Sequence, residues 1–367
     1  MRKRFICLTM AVLLLASLAL NGCAAKTSQG TVANPNKITV TDMEGRKLEI
    51  NAPVNRVVAI GSAMRLYCYI DGINKLVGVE KAQQTSPTDR PYILANPGLK
   101  DLPIIGNGFP AEPDAEMLAT AKPDVIFAGD IVDKAGIEQL QTKTGIPVIA
   151  LTGMNDGVFD QKLYQALNLI GVVMGKAQRS KEIVDYMEAI KQDMNRRTKD
   201  VPDNKKPTVY VGALSWKGIH GIESTLGNYP ELEVLNAKNV ADVTGKSGSV
   251  TIDKEKLIQW NPDKIIIDEG GYQLVKQDYQ KNPSFYNNLK AVKNGEVYGQ
   301  LPYVAYYDNL DTALADIYYV GKVLYPDQFQ DIDPVKKVDE IYKFLLGKEL
   351  YSQMAKDYGG FMKLTLP

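Results

Sequence analysis

The sequence predicts an α/β protein of two Rossmann-like lobes with parallel sheets, joined by one long helix, and three observations predict it. The first is a repeat. Glu116-Met117-Leu118 is followed by Lys122-Pro123-Asp124-Val125-Ile126-Phe127-Ala128-Gly129-Asp130, and Glu255-Lys256-Leu257 by Asn261-Pro262-Asp263-Lys264-Ile265-Ile266-Ile267-Asp268-Glu269, with each glutamate at the same spacing before its Pro-Asp pair. Each copy reads as a short helix, a Pro-Asp turn that stops it, and a buried strand ending in an acidic, glycine-containing loop. Helix, turn and strand in that order occur in any α/β fold; the matched glutamate is what marks one fold used twice. The second observation is that strands alternate with helical patterns on both sides of these units, which indicates parallel layers. The third is segment 156–200, where Phe159, Leu163, Leu167, Ile170, Val173 and Met174, then Ile183, Met187 and Ile190, recur at helical spacing.

Taken in order, the first-half strands are 56–60, running into Gly61-Ser62, then 76–79, then 125–129, then 147–150. The second half has 208–212, 265–267 and 296–298. In the connecting segment Asp156 is placed to cap the helix start, Pro202 follows its polar end, and Gly171 and Gly175 are the points where it can be interrupted. One helix is a stiffer joint than paired strands, so the lobes are expected to close through a modest angle. The expected divisions are a leader over 1–22, a tether over 23–36, a first lobe over 37–155, the connector over 156–200 and a second lobe over 201–367.

The leader has a basic start, Met1-Arg2-Lys3-Arg4, and an apolar run over 5–20. It reads as a secretory signal. Its end, Leu20-Asn21-Gly22-Cys23, resembles the bacterial lipobox, and the run is shorter than the roughly 20 residues that span a bilayer. Cleavage would leave a lipidated Cys23 on a flexible segment rich in Ala, Ser, Thr, Gly and Asn. The expected location is therefore the extracytoplasmic face of the cell membrane.

Composition removes several chemistries. Lys plus Arg number 43 and Asp plus Glu number 43, so no nucleic-acid or polyanionic partner is indicated. One histidine in the whole chain disfavours a hydrolytic zinc site and capture of naked zinc or manganese. Of three cysteines, Cys7 leaves with the leader and Cys23 is the lipidation site, which leaves Cys68 as a small buried thiol in an apolar run. Thr244-Gly245-Lys246-Ser247 lacks the upstream glycine of a phosphate loop, and no Gly-x-Ser-x-Gly elbow is present. No cofactor is expected.

The opening Ile38-Thr39-Val40-Thr41-Asp42 with Gly45-Arg46, then Pro53, the 56–61 strand, Asp71-Gly72 through Val77-Gly78-Val79, both glutamate to Pro-Asp units, and Ala291-Val292-Lys293-Asn294-Gly295 together resemble the periplasmic binding proteins of iron-siderophore, haem and vitamin B12 importers. The resemblance covers nearly the whole mature chain. It implies a monomer with no chemical step, which traps a metal chelate between lobes and hands it to an ABC permease driven by ATPase subunits. An iron chelate of siderophore type is the leading ligand, with a corrinoid, haem, or molybdate or tungstate as alternatives. From other classes, a metal-chelate enzyme and a surface adhesin use comparable scaffolds. The resemblance also implies that Glu116 and Glu255, one on each lobe, pair with arginines of the permease.

Ligand contacts are expected where strands end on the rim between lobes. Gly61-Ser62-Ala63-Met64-Arg65 opens a helix there, placing backbone N–H groups and Arg65 for an anion. Trp216 is expected to stack on a planar chelator and Lys217 to meet its acidic groups, in a glycine-bearing loop that also holds His220. His220 reads equally as structural or as a contact. Tyr303, Tyr306 and Tyr307 offer faces and hydroxyls, though Tyr306 or Tyr307 reads equally as core. Asp130, Glu269 and Tyr272 stand on equivalent loops.

Overall fold

A computed structural model describes residues 36–85, 87–130, 133–154, 157–215 and 218–366. The expected signal, the Cys23 lipidation site, nearly all of the tether, the Asp156 cap, Trp216 and Lys217 lie outside them.

The first lobe opens with an antiparallel hairpin, β1 (Lys37–Thr41) and β2 (Lys47–Asn51). It continues with a parallel sheet in the order β3 (Val57–Gly61), β4 (Val125–Gly129), β5 (Val148–Leu151). Every residue of these three strands is buried, which is why they read as unbroken Val, Ile, Ala and Phe runs and not as alternating ones. The expected strand at 76–79 makes only single bridges, Val57 with Leu76 and Val79 with Ile104. Within three residues the chain crosses from one partner to another, so no ladder forms. Helix α1 (Ala63–Asp71) follows β3, and α2 (Ala115–Ala121) and α3 (Lys134–Thr144) flank β4.

The expected single connecting helix is two. Asp160, not Asp156, caps α4 (Gln161–Val173) by accepting from the Lys162 N–H at 2.8 Å. Gly175, at φ +66°, turns the chain before α5 (Ala177–Thr198). Gly171 does not interrupt: it lies inside α4, where a Cβ would stand 2.4 Å from Ser180 Oγ, so its missing side chain lets α5 pack close. The 22 residues of α5 span about 33 Å.

The second lobe carries β6 (Thr208–Gly212), an antiparallel pair β7 (Ser224–Gly227) and β9 (Gly248–Thr251), β8 (Lys238–Asn239), β10 (Lys264–Asp268), β11 (Val297–Gln300) and β12 (Met362–Lys363). Its main sheet runs β12-β11-β10-β6-β8, parallel except for β12. Helices α6 (Pro230–Val234), α7 (Lys254–Trp260) and α8 (Tyr272–Lys281) accompany it, and α9 (Leu310–Leu324), α10 (Pro334–Leu346) and α11 (Tyr351–Tyr358) complete the chain.

The repeat has a shared physical logic. Both α2 and α7 end on a left-handed residue, Lys122 at φ 48° and Asn261 at φ 41°. The following aspartates then clasp the neighbouring strand: Asp124 accepts from the Asn55 and Arg56 N–H groups at 2.8 and 2.9 Å, and Asp263 from the Thr208 N–H at 2.8 Å. Each Pro-Asp pair therefore stops a helix and fixes where β4 lies beside β3, or β10 beside β6.

One apolar core runs through the described chain. It joins Val57, Tyr67 and Phe127 of the first lobe to Leu167, Ile183 and Met187 of the connector, and on to Val209, Ile266, Leu314 and Ile341. Smaller clusters lie in the second lobe around Tyr210, Ile265 and Tyr286, and in the first around Ile60, Ile126 and Leu140. Two lobes sharing a core rotate little without exposing it, which supports the expectation of modest closure.

Candidate functional site between the lobes

The site is built from the first-lobe turn that leaves β3. Of the backbone donors expected there for an anion, two are already used: the Gly61 N–H donates to the Glu80 carboxylate at 2.9 Å and the Ser62 N–H to the Gly129 carbonyl at 3.1 Å. Ser62 Oγ donates to Asp130 at 3.0 Å. Asp130 itself sits at φ +47° and accepts from the Gly153 N–H at 2.9 Å, with burial pushing its carboxyl up. Asp130 is thus a brace across the ends of β3, β4 and β5.

Arg65 remains. It lies one turn into α1 and is 2 % exposed, yet Nε, Nη1 and Nη2 all lack a hydrogen-bond partner among the described residues. Its guanidinium carbon stands 5.5 Å from the centre of the Tyr92 ring and 5.6 Å from that of Tyr307. Ring faces attract a cation but offer no lone pair in the plane of the fork. Leaving a guanidinium buried and unsatisfied is costly, and such groups cluster where a ligand completes them. The Tyr92 hydroxyl donates to Gln83 at 2.6 Å, and the Arg65 charge offsets part of the rise that burial imposes on it.

The second lobe covers Arg65 with a strap over 304–309. Tyr306 and Tyr307 both lie in the left-handed region, at φ 50° and 77°, conformations that bulky residues hold only when surroundings enforce them. The enforcement is visible. Tyr306 Oη accepts from the Phe109 N–H at 2.8 Å and donates to Glu80 at 3.2 Å, and Tyr307 Oη donates to the Asp130 carbonyl at 3.2 Å. Asn309 Nδ2 holds Tyr303 and Ala305 carbonyls at 2.9 and 3.3 Å and reaches the Asp89 carbonyl at 3.3 Å. Burial pushes the Tyr307 hydroxyl up to about 12 and the Tyr306 hydroxyl well upward, so both tyrosines stay protonated donors at neutral pH. Gly108 makes room for the strap, since a Cβ there would meet Tyr306 Oη at 2.4 Å.

The remaining expected residues disperse. Met64 is fully buried in the core beside Arg65. Tyr303 is 2 % exposed and stacks on Tyr229 at 6.3 Å, so it packs beneath the strap. Tyr272 begins α8 and donates to the Thr365 carbonyl at 3.4 Å. His220 is exposed, and its carbonyl packs against Gly271. Glu269 is buried, accepts from the Gly360 N–H at 2.8 Å, and is pushed up to about 8 by burial. Cys68 is buried, and burial raises its thiol to about 12, which makes it unreactive. Sequence reasoning missed Glu80, Tyr92, Asp89 and Asp308-Asn309. The one local signal was Asp308-Asn309 ahead of the apolar α9, an N-cap pattern that says nothing of a second role.

Comparison with known proteins follows this geometry. A family model described as periplasmic binding protein matches residues 71–302. Among curated relatives, a molybdate-binding protein, MolA of Haemophilus influenzae, is 27% identical over 83% of this chain and 89% of its own length. An Fe(3+)-citrate-binding protein, YfmC of Bacillus subtilis, is 23% identical over 79% and 87%. A solved periplasmic solute binding protein from Veillonella parvula superposes with TM-score 0.70 at 20% identity, covering 87% of this chain and 96% of that one. Molybdate-bound MolA superposes with TM-score 0.67 at 24% identity, over 85% and 98%.

Proposed function

The chain belongs to the periplasmic binding protein family, is a solute-binding protein of an ABC importer and not an enzyme, and from that premise we propose that it captures a compact anionic metal species between its lobes. The observation that carries this reading is Arg65, a buried guanidinium with no hydrogen-bond partner among the described residues, facing the strap of the opposite lobe. A compact oxyanion of the molybdate class, or a metal carboxylate chelate such as ferric citrate, supplies paired oxygens for its planar fork. The names of the two relatives fit the same charge class. A bulky siderophore, first among the sequence expectations, is less suited, because a large ligand held at Arg65 would keep the Tyr306 and Tyr307 bonds to Glu80, Phe109 and Asp130 from closing again over it. The second reading, an aromatic iron chelate, draws on the Phe109, Tyr306 and Tyr307 rings, which pack at 5.4 to 6.2 Å.

Titration calorimetry of the purified chain with molybdate, tungstate, sulfate, ferric citrate and a ferric catecholate tests the assignment. Binding of molybdate, tungstate or ferric citrate at micromolar concentration or below is expected. If the catecholate alone binds, the compact-anion reading is wrong.

In this reading Cys23 carries the lipid that holds the protein outside the membrane. Glu116 and Glu255, each the second residue of its helix and each exposed, report both lobes to arginines of the permease. Replacing both by alanine is expected to abolish uptake in cells while the affinity of the purified protein stays unchanged. Normal uptake at matched expression would remove the docking role.

A further inference from the structure

We propose that the strap over 304–309 is a gate that latches shut without solute, and that the Tyr306 hydroxyl, docked on Glu80 and Phe109 of the first lobe, sets how often Arg65 is open to solution. The inference rests on the reading of Arg65 as the seat of an anionic solute.

Arg65 is 2 % exposed, so it must be uncovered before any solute reaches it. Two rings lie over its guanidinium, and they differ in what holds them. Tyr92 is fully buried in the apolar core shared by the lobes, and moving it would open that core. Tyr307 is half-buried and stands outside the core clusters. The removable cover is therefore the strap.

Its base is stapled. The Asn309 N–H donates to the Tyr303 carbonyl at 2.8 Å, Val304 bridges Asp308, and the Ala305 N–H donates to the Tyr307 carbonyl at 3.1 Å. These bonds are internal to the strap, so they survive when its tip lifts. The tip itself reaches the first lobe through two hydroxyls. Tyr307 Oη donates to the Asp130 carbonyl at 3.2 Å, while Tyr306 Oη accepts from the Phe109 N–H at 2.8 Å and donates to Glu80 at 3.2 Å. Glu80 is 3 % exposed, and the same oxygen also accepts from the Gly61 N–H at 2.9 Å and from Gln83 Nε2 at 3.4 Å, so it is a fixed seat for the hydroxyl. Gly61 ends β3 just ahead of α1, which places the seat on the turn that carries Arg65. All of these partners belong to the protein and none to the solute. The latch therefore stabilises the shut form of the empty and the loaded protein alike. Releasing it must speed entry and exit together.

The test uses the full chain in detergent with molybdate as the probe, followed by stopped-flow intrinsic fluorescence. Tyr306→Phe is expected to raise the association and dissociation rates each by about 3- to 10-fold, the worth of one hydrogen bond of ordinary net strength, with Kd moving less than either rate. Amide hydrogen exchange without solute gives a second readout. Phe109 is 44% exposed, so its N–H, once released by Tyr306, meets water. Its protection is expected in the parent and lost in Tyr306→Phe, while the Gly61 N–H, held by Glu80 within the first lobe, stays protected. A role confined to holding the fold would instead weaken Kd or loosen both amides. Tyr307→Phe, which frees only the Asp130 carbonyl, should raise both rates too and serves if Tyr306→Phe fails to fold. Rates equal to the parent's in both variants, or a Phe109 amide unprotected in the parent, overturn the gate while leaving anion capture intact. Absence of molybdate and ferric citrate binding, with Phe109 protected as expected, overturns the anion reading and with it the gate over Arg65.

Discussion

Replacing Arg65 by methionine is expected to abolish anion binding and, at the same time, to stabilise the empty protein. The guanidinium is 2 % exposed and without a hydrogen-bond partner among the described residues, so in the absence of solute it is a desolvated charge held by the faces of Tyr92 and Tyr307 and by the negative field of Asp89, Asp308 and Asp311. Methionine keeps most of the volume and removes the charge. Exchanging a poorly compensated buried charge for an apolar side chain commonly stabilises by about 1–3 kcal/mol, even after loss of the cation–π attraction. The same exchange removes a charge-assisted, two-pronged contact to solute, which corresponds to a loss of affinity on the order of 100-fold or more. Thermal melts and molybdate titrations on one preparation check both. A variant that binds normally, or that melts well below the parent, would show that Arg65 holds the fold and not the ligand.

The second large effect is a protein that loses stability as its surroundings become alkaline. Asp268, Glu269, Asp316 and Glu231 are each at most 5 % exposed, and each has an oxygen without a partner among the described residues. Burial raises all four, to about 8 for Glu231 and Glu269 and well above the usual range for Asp268 and Asp316. In the unfolded chain they ionise near pH 4. Between there and pH 8 the unfolded state has released protons that the folded state retains, so stability falls with rising pH and levels off once the folded groups ionise. Glu296 and Asp331 act oppositely, each lowered to about 2: the stability they add is present above about pH 4 and lost in stronger acid. Maximum stability is therefore expected near pH 5. From there to pH 8.5 stability is expected to fall continuously. Denaturant titrations at pH 5, 7 and 8.5 measure it, and a midpoint that is flat or rises across that series would contradict the assignment. Glu231→Gln with Glu269→Gln should flatten the series.

How far these features could be read from the chain differs by their physical origin. The strands and the doubled unit were legible because they depend on local chemistry: apolar runs that must be buried, and a proline that ends a helix. The purpose of the aspartate in each unit was not, since Asp124 acts on the backbone 68 residues away. Arg65 was legible as a rim residue because it follows a strand by one turn. That the neighbouring N–H groups would be taken was hidden in Glu80, 19 residues on. The connector's periodicity carried across the break at Gly175 because both helices face the same core. Least legible was the strap, where two tyrosines hold a left-handed backbone that composition assigns to glycine or asparagine. Bonds from the other lobe to both hydroxyls, together with the Asn309 clasp within the strap, hold that conformation.

The core that runs unbroken through both lobes has a mechanical consequence. A joint made of packed side chains has little compliance, so thermal motion is not spread evenly over the molecule but is largest where fewer bonds resist it. The segment 304–309 is such a place: a few hydrogen bonds from Tyr306, Tyr307 and Asn309 hold it to the first lobe. The molecule then works less like a pair of jaws than like a rigid frame with one sprung catch. If solute binds at Arg65 as proposed, the rate at which it enters and leaves is expected to be set by that catch.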